Sequence, residues 1–283
     1  MKTSYLKWGV VIGAVAILPA FNRQKQNVLE SGAISYVAAP EQNGQFRTVK
    51  NEAFKIGEEL RYRVHYGFVD AGEAVLKVKS CDKKVQGRNL IHVEGTGKSL
   101  GAFDWFFKVR DRYESYMDEQ AIMPWLFVRR VNEGGYEIKQ DYTFIQNKNK
   151  VDLGNGKTMD APAAVQDMLS SFYYARTINF ENAKVGDVFT VSTICDGELF
   201  PLKIKYMGKE TISLRQGKYR CMRFVPVVAT GRIFKNNEDL SVWITDDKNK
   251  IPILAKAKIW VGSIKAEVVE YKGLANPVAK VKK

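Results

Sequence analysis

A chain of 283 residues with 45% hydrophobic content is long enough for one large β domain or two modest ones, and too apolar for general disorder. Lys and Arg outnumber Asp and Glu by 44 to 31, a formal charge of +13. The excess is spread along the chain without a dense basic block, so a solvated basic surface is expected.

The first residues read as a secretory signal. Lys2 and Lys7 precede an apolar core, Trp8 to Leu18, that is too short for a membrane span. Pro19-Ala20 supplies the end, with cleavage near Ala20, and no cysteine follows to carry a lipid anchor. The competing reading is an uncleaved N-terminal anchor. Removing residues 1–20 takes away two lysines and leaves a formal charge of about +11. Residues 21–53 are mixed and polar and read as a linker.

The domain is expected over residues 54–273. Leu60, Tyr62, Val64 and Tyr66 alternate with Arg61, Arg63 and His65, the period of two of a half-buried strand. Gly67 to Gly72 reads as a turn, and Ala74, Leu76 and Val78 return as a second strand. Asn89 to Gly97 reads as a third strand and Trp105 to Tyr116 as a longer aromatic one. Pro124 to Val131 and Tyr136 to Ile145 flank the turn Glu133-Gly134-Gly135.

One helix is expected, from Asp160 to Arg176. Asp160 is placed to cap it and Pro162 sits in its first turn. Val165, Met168, Leu169 and Phe172 form a core stripe, with Asp167, Ser170, Ser171 and Tyr174 on the remaining surface. Strands are then expected at Val188 to Thr193, Leu199 to Tyr206, Glu210 to Leu214, Tyr219 to Val228 and Leu240 to Thr245. Ile251 to Trp260 and Ile264 to Tyr271 form a last hairpin, and residues 274–283 a basic, frayed tail. Many strands with one mid-chain helix argue for a mainly β fold, an antiparallel curved sheet or open β-barrel with one central helix.

Catalytic motifs are weak. Gly95-Thr96-Gly97-Lys98-Ser99 imitates the end of a phosphate loop, but His92 stands where the earlier glycine is required. Gly97-Lys98-Ser99-Leu100-Gly101 spells a nucleophile elbow, yet an aromatic strand is expected after it, and both histidines, His65 and His92, precede the serine. A glycine-rich turn is the plainer reading. The helix offers Asp167 beside Ser170 and Ser171 without a base. Cys81, Cys195 and Cys221 fit no zinc spacing, and their odd number leaves one without an internal partner. Each reads as a small buried apolar residue. No metal and no cofactor is expected. Trp105, Phe106 and Phe107 are consecutive and cannot all face one side of a strand. Aromatic faces of this kind suit lipid chains or sugar rings, or simply fill a core.

Three blocks carry a family resemblance: FKIGEELRYRVHYGFVDAGEAVLKV, VQDMLSSFYYAR and WITDDKNKIPILAKAKIWVGSIKAEVVEY. Together they resemble the bacterial family known as domain of unknown function 3108, over about Phe54 to Gly273. The resemblance implies an exported β-rich protein and brings no catalytic residues. The pattern also resembles, at the level of fold alone, the open barrel of lipoprotein carriers.

Three functions compete: an exported, periplasmic or extracellular carrier of an apolar or amphipathic ligand without catalysis; an enzyme on envelope glycans using His65, Arg63, Asp70 or Tyr142; and a structural envelope protein meeting a partner through its sheet edge. The first is preferred, because no nucleophile, metal set or carboxylate pair stands out. Its candidate ligand-binding residues are Tyr62, His65, Trp105, Trp125, Asp167 and Arg176. The expected partners are an apolar or amphipathic small molecule, an envelope glycan or a membrane surface, and not nucleic acid.

Overall fold

The computed structural model describes residues 34–36, 46–227, 239–258 and 262–281. The signal segment 1–20 and most of the linker lie outside the described residues. Strands β1 (Ile34–Tyr36), β2 (Glu59–Tyr66), β3 (Val69–Val85) and β4 (Arg88–Ser99) come first. A short helix α1 (Gly101–Phe106) leads into β5 (Arg110–Asp118), β6 (Pro124–Glu133), β7 (Tyr136–Ile145), β8 (Lys150–Asp152) and β9 (Thr158–Asp160). The main helix α2 (Met168–Thr177) follows. The rest is β10 (Val188–Cys195), β11 (Glu198–Leu214), β12 (Gly217–Pro226), β13 (Leu240–Thr245), β14 (Pro252–Lys258) and β15 (Ser263–Lys272).

All strands belong to one curved sheet in the order β1-β10-β11-β12-β13-β14-β15-β2-β3-β4-β5-β6-β7-β8-β9. Every pairing is antiparallel except β1 with β10. From β2 onward the sheet is largely a meander, and its last strand, β15, returns to pair with β2 near the middle of the sheet. It does not close. The chain leaving β9 lays Gln166 beside β10 through Gln166 N–H to Ser192 O (2.9 Å) and Ile194 N–H to Gln166 O (2.8 Å), a single parallel bridge across the opening.

Alternation decides which side faces in. On β2, Leu60, Tyr62 and Val64 are buried, while Arg61, Arg63 and His65 lie half-buried on the outer face. The turn to β3 is shorter than expected: Gly67, at φ 59°, takes the left-handed conformation that glycine adopts freely, and Phe68 forms the tip. Asp70 to Gly72 are already strand. The glycine-rich stretch read as a turn is also strand, the end of β4. Gly95 faces inward there: a Cβ would meet Leu76 at 3.1 Å and Leu169 at 3.7 Å, so its missing side chain lets α2 approach the sheet.

Two helical expectations need correction. The helix begins at Met168, not near Asp160, because Asp167 is its cap: its carboxylate accepts from Leu169 N–H and Ser170 N–H, both at 2.7 Å, and Ser170 Oγ accepts from Asp167 N–H at 2.9 Å. Asp160 is instead the end of β9 and pairs with Lys150. The helix has no polar outer face. Met168, Leu169, Ser170, Ser171, Tyr173, Tyr174 and Arg176 are all buried, and Phe172 is half-buried. The small serines satisfy their hydroxyls locally, Ser171 Oγ donating to Met168 O at 3.0 Å, so they enter the core cheaply. The helix is therefore core filling on the inner face of the sheet, not a lid.

The second correction concerns Trp105 to Tyr116. The first part is α1, followed by β5 from Arg110. A helix thus does follow Ser99. The serine is committed to holding it, donating to Asp104 Oδ1 (2.6 Å) and accepting from Val109 N–H (2.8 Å). The tail after Gly273 is also more ordered than expected: Arg220 N–H donates to Ala279 O (3.0 Å), and Asn276 is held by Asn249.

Arg176 fastens the helix. Its guanidinium makes two bonds to Glu58, at 2.6 and 2.8 Å, and donates to Asn249 O (3.0 Å) and Ala53 O (3.1 Å). Both charges are buried, so removing one strands the other. Arg176→Met should lower the unfolding free energy by about 3–5 kcal/mol in urea titration; a change below about 1 kcal/mol would show the pair to be dispensable.

Candidate functional site

The six residues expected to bind ligand do not form one site. Tyr62, Trp125, Asp167 and Arg176 are buried structural residues. The Tyr62 hydroxyl is enclosed near Arg176 and Glu58, and burial raises its pKa. Trp125 packs edge-on against Phe46, ring centroids 5.4 Å apart. Asp167 caps the helix and accepts from Ser115 Oγ at 2.6 Å; burial pushes its carboxyl up to about 6 against those hydrogen bonds. His65 and Trp105 lie toward one rim of the sheet. His65 Nδ1 is 2.8 Å from Asp70 Oδ1, and Asp70 is also held by Arg63 at 3.2 Å. Tyr142 is buried, its hydroxyl pushed up to about 12 by desolvation. The group His65, Arg63, Asp70 and Tyr142 is thus split between the outer face and the core. Cys195 and Cys221 are buried thiols that desolvation pushes up to about 12, while Cys81 is half-buried.

The outer face of β2 to β6 carries the densest charge. Register places Val75 opposite Thr96, Thr96 opposite Arg112, and Arg112 opposite Arg130, one transverse row on one side of the sheet. This row floors a shallow depression of about 540 Å³. Six cations line it, Arg61, Lys77, Lys98, Arg110, Arg112 and Arg130, against the three carboxylates Glu73, Glu94 and Asp111.

Two clusters border this depression that sequence reading did not find. His92, Glu94 and Glu114 bring one imidazole nitrogen and two carboxylate oxygens within 4.8 Å of one another. His92 Nε2 lies 2.9 Å from Glu114 Oε2, and the ring stacks on Tyr116 at 4.4 Å. Burial lowers the His92 pKa, against the pull of Glu114. Lys79 binds Glu94 at 2.7 Å and Arg112 binds Glu114 at 3.2 Å. One oxygen of each carboxylate thus already meets a side-chain cation, and the set is part of an ion-pair network. The second cluster is a carboxylate pair, Asp111 and Glu133, on neighbouring strands. Burial, then the charge of Glu133, pushes Asp111 up to about 7, and burial raises Glu133 as well.

The rim carrying Phe68 and α1 is apolar. The β2–β3 turn, α1 and the β6–β7 turn gather there: Tyr66 meets Phe103 edge-on at 6.0 Å, Leu100 N–H donates to Ala71 O (3.0 Å), and Gly134 N–H to Lys108 O (2.9 Å). Phe68, Val69, Trp105, Phe106 and Tyr136 are all exposed on it, Phe68 and Trp105 at 106% and 82%.

A family model described as "Protein of unknown function (DUF3108)" matches residues 61–269, and the chain belongs to that family. No curated protein matches it by sequence. Among solved structures, the β-barrel-like DUF1849 protein of Brucella abortus is similar, with 9% identity and a TM-score of 0.50 over 78% of this chain and 99% of that one. A proposed lipoprotein of Parabacteroides distasonis aligns at 11% identity and a TM-score of 0.34, over 81% of this chain and 100% of that one. The first supports the β-barrel-like fold; the second aligns too loosely to carry an argument.

The raised Asp111 pKa has a definite sign. A carboxyl whose folded pKa exceeds its unfolded value stabilises the fold at low pH and loses that contribution as pH rises through the folded value. The wild type should therefore lose stability relative to Asp111→Asn between about pH 4 and pH 7. Melting temperatures of both proteins across that range test this, and parallel curves would refute it.

Proposed function

We propose that this DUF3108 protein is an exported, non-enzymatic binding protein of the bacterial envelope that takes an anionic amphipathic ligand on its outer charged face. The observation that carries the reading is the exclusion of the interior. Buried side chains of α2 fill the inner face of the sheet, with Leu169 and Tyr173 both 0% exposed. An acyl chain sharing that space would have to displace them, at about 1.5–3 kcal/mol for each large apolar side chain. A concavity open to solvent among the described residues is the depression over Val75 and Thr96, whose lining cations outnumber its lining carboxylates two to one.

A phosphate or carboxylate head group suits this surface, since arginine forks bind such oxygens in pairs. All six of these cations already hold a carboxylate, as Arg61 holds Glu73 at 2.9 Å, Lys98 holds Glu73 at 3.4 Å and Arg130 holds Asp141 at 2.7 Å. A ligand would compete with existing pairs, so micromolar or weaker affinity with strong salt dependence is expected. Export rests on the lysines and apolar stretch of residues 2–18.

Titration calorimetry with a short-chain phosphatidylglycerol below its micelle concentration tests the reading. Binding should weaken by at least about tenfold in Arg112→Glu and more in Lys98→Glu/Arg112→Glu. Equal affinity for short-chain phosphatidylcholine, or no effect of the charge reversals, would overturn it. Turnover of an envelope glycan by the purified protein would favour the enzyme reading, with Asp111 and Glu133 as its acids. The mass of the protein exported by its host should show loss of about 20 residues; an intact N-terminus in membranes would show an anchor.

A further inference from the structure

The apolar residues left exposed are not scattered. Of the ten large exposed hydrophobics among the described residues, only Ile56, Val185 and Val281 lie toward the opposite rim. Phe68 and Val69 occupy the β2–β3 turn, Trp105 and Phe106 belong to α1, and Tyr136 begins β7. Leu199 starts β11 and Val227 follows β12, so antiparallel pairing sets both on the rim of α1 as well. Single exposed apolar side chains are ordinary, but a concentration on one end marks an interaction surface.

The types are informative. Trp and Tyr combine an apolar body with a polar tip and favour the boundary between hydrocarbon and water. Trp105 and Phe106 lie edge to face, centroids 4.6 Å apart, on an exposed helical turn that buries none of its residues. That turn is not loosely held: Ser99 and Arg110 grip Asp104, and together they hold its carboxyl at about 2. A rigid mount for exposed aromatics has no use in packing this chain's own core.

Charge around the rim completes the pattern. Its acids are mostly neutralised within the chain: Asp70 by Arg63, Asp104 by Arg110, Glu137 by Lys139, Asp196 by Arg129 and Glu267 by Lys265. Lys108 and Lys258 stand exposed there with no ion pair among the described residues, and Glu198 is an exposed acid outside these pairs. Exposed aromatic side chains beside two lysines that have no ion pair among the described residues match an anionic lipid interface, where each basic residue near the surface adds attraction.

We propose that the rim formed by the β2–β3 turn, α1 and the β6–β7 turn docks on the surface of a bilayer containing anionic lipid, with Phe68, Trp105 and Phe106 entering the interface and Lys108 and Lys258 meeting the head groups. This goes beyond ligand binding on the outer face and does not require it. Docking also stands the charged depression beside the head-group layer, since Lys98 and Arg110 belong to both surfaces.

Flotation of the full mature chain with vesicles tests the proposal, using phosphatidylcholine alone and an equal mixture of phosphatidylcholine and phosphatidylglycerol. Binding to the mixture and not to pure phosphatidylcholine is expected, falling at least about tenfold in Phe68→Ser/Trp105→Ser and several-fold in Lys108→Glu. Lipids brominated along the acyl chain should quench tryptophan emission clearly more in the wild type than in Trp105→Phe, and equal quenching would count against entry of Trp105. These side chains are exposed, so melting temperatures of the variants should match the wild type; the charge variant Lys108→Glu and the quenching measurement stand even if the double variant folds poorly. Undiminished flotation of folded Phe68→Ser/Trp105→Ser would overturn the proposal, as would absence of flotation in the wild type. Light scattering that shows a wild-type dimer abolished by Phe68→Ser would assign the rim to a second copy of the chain instead. Arg112→Glu, which weakens the short-chain ligand in calorimetry, should leave quenching by brominated lipid intact, so failure of either reading is separately visible.

Discussion

The structure turns on the buried ion pair between Arg176 and Glu58. Two charges leave water together: Glu58 accepts two hydrogen bonds from Arg176, and Arg176 also donates to the carbonyls of Ala53 and Asn249. The guanidinium also lies over the rings of Phe54 and Tyr173, at 5.3 and 5.2 Å. Two remote segments therefore converge on the last turn of α2: the chain entering β2, through Ala53 and Glu58, and the turn between β13 and β14. Asn249 extends the set to the tail, donating to Asn276 O and Pro277 O. A curved sheet without full closure needs such a tie, because no ladder of backbone bonds locks its two edges together.

Once the helix is seated, the inner face is spent. Gly95 marks a close approach of sheet and helix, and Asp167 anchors the N-terminal end of the helix through Ser115. The convex side and the rims are what the described residues leave exposed. The outer face is a lattice of alternating charges in transverse rows, with its cationic excess concentrated over β3 to β6. One rim is apolar and basic. The division follows from the period of two: the same strands that bury Tyr62 and Val64 must display Arg61, Arg63 and His65.

Alternation made the hairpins β2–β3, β6–β7 and β14–β15 legible, along with the antiparallel curved class. The helix was legible as an element and not in its start. Asp160 and Asp167 both precede apolar residues; Asp167 is the true cap because Ser170, three residues on, bonds back to it and Ser115 donates to its carboxylate, whereas Ala163 stands three residues after Asp160. Its buried face was misjudged because Ser170, Ser171 and Tyr174 are polar by type, whereas burial on all sides is decided by the surrounding sheet. Trp105 to Phe107 suggested strand through aromatic β-propensity, which gives way where Gly101 turns the chain at φ 55°. The clusters His92–Glu94–Glu114 and Asp111–Glu133 depend on the registers of β4 with β5 and of β5 with β6. Alternation shows that His92 and Glu94 share a face; nothing local shows which residue of the next strand lies opposite.

The pairing of β15 with β2 has a kinetic side. Arg61 and Glu270 are partners across 209 positions of sequence, whereas most other neighbours in the sheet are joined by short turns. The entropy of closing that loop is met only when the last strand is available, so the meander can form piecewise but its central seam comes late. A chain threaded through a membrane from its N-terminus would carry β2 with an unpaired edge until β15 emerged. Such an edge is open to wrong pairing, and the alternation of Arg61, Arg63 and His65 along it, one of each pair of neighbours charged or ionisable, is what keeps the waiting strand from joining another like itself.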